Sequence, residues 1–127
     1  MQKKDAFTER LIKGILEYLL AALIQERPTH GYNAIVRIRR TFGIYFGPST
    51  IYPMLASLER LGYIVSKWDL NNGRPKKIYS ITSKGQQYIY ESEEALRFLL
   101  RKIGISSDIK VGAFKRESIE NYKYVQR

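Results

Sequence analysis

Few side chains in this sequence could carry chemistry, and most of those that could are cations. Of its 127 residues, 22 are lysine or arginine and 12 are acidic, a net charge of +10, with one histidine and no cysteine. Without cysteine there are neither disulfides nor thiolate ligands. His30 stands beside Gly31 with no second imidazole to complete a metal site. Carboxylates gather at Glu91, Glu93 and Glu94, where helical spacing lets Glu91 and Glu94 share a face, and the group reads as a solvated surface. Acid–base, nucleophilic and metal-assisted reactions lack their parts, so the chain does not read as an enzyme and no cofactor or metal is implied.

What the cations could do is neutralise phosphates. Eight of the ten excess positive charges fall within residues 27–86. A localised excess of this kind is the electrostatic footprint of a polyanion partner. Its densest stretch is Gly73-Arg74-Pro75-Lys76-Lys77, with three cations in four residues, and Arg39-Arg40 form a second pair.

The elements that must hold these residues can be read from periodicity. Apolar positions Leu11, Ile12, Ile15, Leu16, Leu19, Leu20 and Leu23 predict a helix over residues 8–26, ended by Pro28. Thr29 is positioned to cap a second helix over 30–42, with Tyr32, Ile35, Val36 and Ile38 inward and Arg37, Arg39 and Arg40 largely outward. After a short connection a third helix runs from about Ser49 to Leu61, stopped by Gly62, and Pro53 asks that it begin near Thr50 or be distorted. Two β-rich runs, 63–68 and 77–82, flank a loop of turn formers and cations and predict a hairpin with a basic tip. A long helix over 83–103 follows, with Ser83 and Gln86 in capping-box spacing and Glu93 and Arg97 as an i,i+4 pair.

Three helices, a hairpin and a long helix make the winged helix-turn-helix order: a mainly α fold with a small β wing. The expected division is a DNA-binding unit at 1–82 and a dimerisation helix with its extension at 83–127. Opposite the Ile51, Leu55 and Leu58 face of the third helix lie Ser49, Pro53, Ala56 and Arg60, flanked by Thr50, Tyr52 and Ser57. Short side chains let a helix backbone enter a major groove ~12 Å wide, where hydroxyls and an arginine can bond phosphates or base edges. An ordinary solvated helix face would carry Glu/Lys pairs instead. The expected DNA contacts are therefore Arg39, Arg40, Ser49, Thr50, Tyr52, Pro53, Arg60, Arg74, Lys76 and Lys77.

Five runs now make the sequence recognisable: His30-Gly31-Tyr32, Gly47 to Leu55, Leu58 to Ile64, Gly73 to Tyr79, and Ile81 to Gly85. In this order and spacing the chain resembles the PadR family of transcriptional regulators over about residues 11–103. The resemblance implies a recognition helix opened by Ser49–Pro53, a homodimer held by the first and last helices, and a repressor. The residues agree on the dimer, because those helices are near neutral and carry more apolar surface than a small domain can cover. Leu16, Leu20, Ile89, Leu96, Leu99, Leu100 and Ile103 are the expected interface, unless residues 106–127 cover that surface instead.

Two other readings stay open: a non-specific architectural DNA binder, and a sensor whose dimer cavity, lined by Tyr18, Tyr88, Tyr90 and Phe98, takes a small apolar or aromatic effector. Some relatives stack such ligands on a tryptophan of the last helix, whereas here the single tryptophan, Trp68, lies in the hairpin. The longest apolar run, Tyr18 to Ile24, is far short of the ~20 residues a bilayer requires. Without a membrane span or a signal-like leader, a cytoplasmic location is expected.

Overall fold

The computed structural model describes residues 6–104. Its elements are α1 (Ala6–Gly14), α2 (Leu16–Glu26), β1 (Thr29–His30), α3 (Gly31–Phe42), α4 (Pro48–Arg60), β2 (Ile64–Asp69), a 3-10 turn at Asn71–Gly73, β3 (Lys76–Ile81) and α5 (Ser83–Lys102). The C-terminal extension at 106–127 lies outside the described residues.

The core is built around α2. Eight of its eleven residues are buried, including Leu16, Leu20 and Leu23 with no exposed surface. An all-round apolar helix needs cover on every side, and α4, α5 and β3 supply it. The expected single helix over 8–26 is two. It breaks at Ile15, whose backbone (φ −117°, ψ 16°) leaves the helical region. Gly14 weakens the helix there, and the two halves have different surroundings, since α1 buries none of its residues.

Thr29 does not cap α3. It belongs to β1, pairing with Tyr79 of β3, and its hydroxyl donates to the Arg27 carbonyl at 2.7 Å. The sheet order is β1-β3-β2, antiparallel throughout, with Ile64 opposite Ile81, Ser66 opposite Tyr79 and Trp68 opposite Lys77. Two side chains of α3 also depart from expectation. Tyr32 points outward, 67% exposed, and Arg37 turns back to pair with the Glu26 carboxylate at the end of α2.

Helix α4 starts at Pro48, earlier than Pro53 suggested. Pro48 takes the first helical position, where its missing N–H costs nothing. Pro53 falls in the second turn and leaves the Ser49 carbonyl without its helical donor. Both residues are on the exposed side, where water can serve that carbonyl.

The cap of α5 is Thr82 rather than Ser83. Its Oγ1 accepts from the Gly85 N–H at 2.9 Å and lies 2.7 Å from the Gly62 carbonyl and 3.0 Å from that of Tyr63, so one hydroxyl ties α5 to the turn after α4. Gly85 is compulsory in this knot, because a Cβ would stand 2.0 Å from the Tyr63 carbonyl oxygen.

The Glu91, Glu93 and Glu94 group is not one solvated face. Glu93 is 5% exposed and accepts from the Tyr18 hydroxyl at 2.9 Å, while Arg97 pairs with Glu94 (2.6 Å) and not with Glu93. Burial first, then the Glu93 carboxylate, raises the Tyr18 phenol well above its ordinary pKa. Leu16, Leu20 and Ile89, expected at a dimer interface, are closed inside the protomer, with 2% exposure at most. Their own chain already covers them. Leu96 and Leu100 are half-buried, and Leu99 and Ile103 are exposed.

Candidate nucleic-acid interface

Helix α4 presents the face that its period implies. Ile51, Leu55 and Leu58 are buried, while Ser49, Tyr52, Pro53, Ala56 and Arg60 are exposed and Thr50 is half-buried. The one acidic residue of the helix, Glu59, is turned aside, accepting from the Ser66 hydroxyl of β2 at 2.5 Å. That bond clears negative charge from the outer face and pins the first wing strand to the end of α4. Tyr52 is held by shape, because its ring lies so close to Gly31 that a Cβ there would meet Cε1 at 2.5 Å. Arg60 rests near Ser57 Oγ, at 3.4 Å, with its guanidinium exposed.

The wing is fixed at its far end too. His30 Nε2 lies 3.1 Å from Asp69 Oδ2, and the Asn71 N–H donates to Asp69 Oδ1 at 3.1 Å. The Asn71 N–H, followed by His30, holds the Asp69 carboxyl below its ordinary pKa. With the acid so occupied, the exposed charges of the tip are positive: Arg74, Lys76 and Lys77. Lys77 Nζ lies 5.7 Å from the centroid of the Trp68 ring.

Beside the start of α4, a groove of about 640 Å³ runs along α3, lined by residues that include Tyr32, Val36, Arg39, Arg40, Tyr45 and Pro48. It brings Arg39 and Arg40 alongside the helix whose face carries Ser49. The ten expected contact residues thus form three groups: the α4 face, this groove and the wing tip. Sequence reasoning missed Tyr32 and Tyr45, 67% and 61% exposed. Aromatics interleaved with arginines were the available signal. It also missed the anchoring roles of Glu59 and His30, which depend on pairings across the fold.

The four rings proposed for an effector cavity have different surroundings within one protomer. Tyr18 is buried against Glu93, Tyr88 stacks on Tyr63 with centroids 4.4 Å apart, and Tyr90 and Phe98 are largely exposed.

A family model described as "Transcriptional regulator PadR-like family" matches residues 19–91, more than half of the chain. The chain belongs to the PadR-like family. It is similar to the transcriptional regulator Rv3488 of Mycobacterium tuberculosis, 32% identical over 83 residues that make up 65% of this chain and 66% of that protein. Among solved structures it resembles a PadR family transcriptional regulator from Eggerthella lenta, with TM-score 0.72 and 27% identity over 78% of this chain and 87% of the other. It also resembles a PadR-like transcription factor from Bacteroides fragilis, with TM-score 0.66 and 25% identity over 78% and 96%. The PadR-like chain is a transcriptional regulator of the DNA-binding kind and not an enzyme, with the winged-helix fold of its relatives. No helix among the described residues is long and apolar enough to cross a membrane.

Proposed function

We propose that this PadR-like chain is a homodimeric repressor that binds a pseudo-palindromic duplex through α4 and the wing. The observation that carries the reading is the outer face of α4, exposed and free of acid between two groups of arginine and lysine. In this reading Ser49, Thr50, Tyr52, Pro53 and Arg60 enter the major groove. Arg39, Arg40, Arg74, Lys76 and Lys77 take phosphates on either side. Residues 1–82 form the reading unit and 83–127 the dimerisation unit.

The dimer is supported by exposed apolar side chains on the first and last helices. Phe7 and Leu11 of α1 and Phe98 and Leu99 of α5 are between 48% and 75% exposed, and Ile103 just beyond α5 is 67% exposed. Leu96 and Leu100 lie half-buried beside them. Water exposure of so many large apolar side chains on these two helices is relieved by a second copy. Two-fold symmetry would then set the two α4 helices about one duplex turn, ~34 Å, apart.

The test is competition. DNA flanking the chain's own gene, cut to an inverted repeat, is bound by the purified protein and challenged with random duplex. The expected result is a preference of about a thousandfold, within the range specific regulators show. Equal affinity for both duplexes would make the chain an architectural DNA binder.

A further inference from the structure

The fold spends nothing on its one tryptophan. Trp68 is 60% exposed at the third inward-facing pair of the wing, beyond the point where the core ends. Side chains alternate along a strand, so Trp68 shares a face with Ile64, which is buried, and Ser66, which bonds Glu59 of α4. On β3 the same face carries Ile81, then Tyr79, 6% exposed, then Lys77 opposite Trp68. Trp68 and Lys77 therefore stand one pair, roughly 7 Å, past the contact between the wing and α4, on the wing's α4 side. Lys77 lies over the ring and Arg74 follows at the tip, whereas Lys76 and Asp69 face each other on the other side of the hairpin, the acid engaged by His30. The acid on the ring's own face, Glu59, is one pair back and accepts from Ser66.

We propose that Trp68 is a DNA-contacting residue: its ring lies against the apolar deoxyribose edge of the duplex while Lys77, held over the ring, meets the adjoining phosphate. The inference rests on the reading of α4 and the wing as the DNA-binding face, and adds to it a contact of different physical character. A cation that displaces counterions gives affinity that falls with salt, whereas apolar contact does not. A sugar presents the same edge whatever the base, so the contribution is uniform across sequences.

The experiment uses the full chain, with labelled duplex followed by anisotropy and the single tryptophan followed by its own emission. Wild-type emission is expected to shift along the same curve as the anisotropy. Trp68→Ala is expected to weaken binding about five- to tenfold, a scale set by the apolar area of one indole edge, with an unchanged salt slope. Trp68→Phe should recover part of the loss, and Lys77→Ala should flatten the slope by about one unit. The exposure of Trp68 means that circular dichroism of both tryptophan variants should match wild type. Duplex binding with fixed emission and an unchanged Trp68→Ala affinity overturns the inference and leaves the DNA-binding reading intact. An emission shift that follows protein concentration without DNA assigns the ring to a protein contact and overturns it as well. No duplex binding at low salt removes both.

Discussion

The outer face of α4 with its wing and the exposed apolar side chains of α1 and α5 leave surface in water for opposite reasons. The first is polar and cationic, with its acids, Glu59 and Asp69, tied into internal bonds. The second exposes Phe7, Leu11, Leu99 and Ile103. A cationic face gains nothing from apolar contact until a polyanion arrives, and exposed apolar side chains gain nothing from salt. One small fold thus holds two surfaces that answer to different solvents. The Thr82 knot, joining the turn after α4 to the head of α5, keeps them in register.

The strongest way to break the comparison is to put charge among those apolar side chains. Leu99→Asp combined with Ile103→Asp would put four carboxylates into the proposed two-fold interface, and dissociation of the proposed dimer is expected to become about a thousandfold easier. Sedimentation velocity reads this directly. A sedimentation coefficient unchanged by the substitution would detach these side chains from assembly.

Next in size is the link between the surfaces. Gly85→Ala drives a Cβ into the Tyr63 carbonyl and Ile81, and a loss of roughly 3 kcal/mol is expected from the forced backbone shift. Denaturant unfolding measures it, and DNA affinity and dimerisation should decline together.

The smallest effect lies in the core, away from both faces. Tyr18→Phe leaves the buried Glu93 carboxylate without its donor and should cost about 1–3 kcal/mol, again by denaturant unfolding, with DNA affinity unchanged in the folded protein. The phenol gives a matching pH dependence. Its pKa is raised in the folded chain by burial and by Glu93, so its contribution is complete below the unfolded value near 10. That contribution is lost as pH rises toward the folded value. Wild type should therefore lose stability above about pH 10, and Tyr18→Phe should lose less. Parallel alkaline curves would exclude the phenol.

Much of this was written in local pattern. The face of α4 follows from Ile51, Leu55 and Leu58 at helical spacing, and the wing from two short β runs around a basic loop. Pairings distant in sequence were not legible. Two residues, Thr29 and His30, are too few to show a strand, and their partners on β3, Tyr79 and Ile78, lie far along the sequence. Glu93 looks like its neighbours until Tyr18, 75 residues away, is placed against it. Leu16, Leu20 and Ile89 taught the same lesson in reverse. A period shows that a face must be covered, and tertiary contact decides whether the cover is the same chain or another copy.

The most direct test of the central claim is the salt dependence of duplex binding, for wild type and for Arg74→Ala/Lys76→Ala. The logarithm of the binding constant should fall linearly with the logarithm of salt concentration, and removing two phosphate contacts should make the slope shallower by about 2. Tight binding at low salt with that change in slope places the duplex against the wing. A slope and affinity untouched by the double substitution would contradict it.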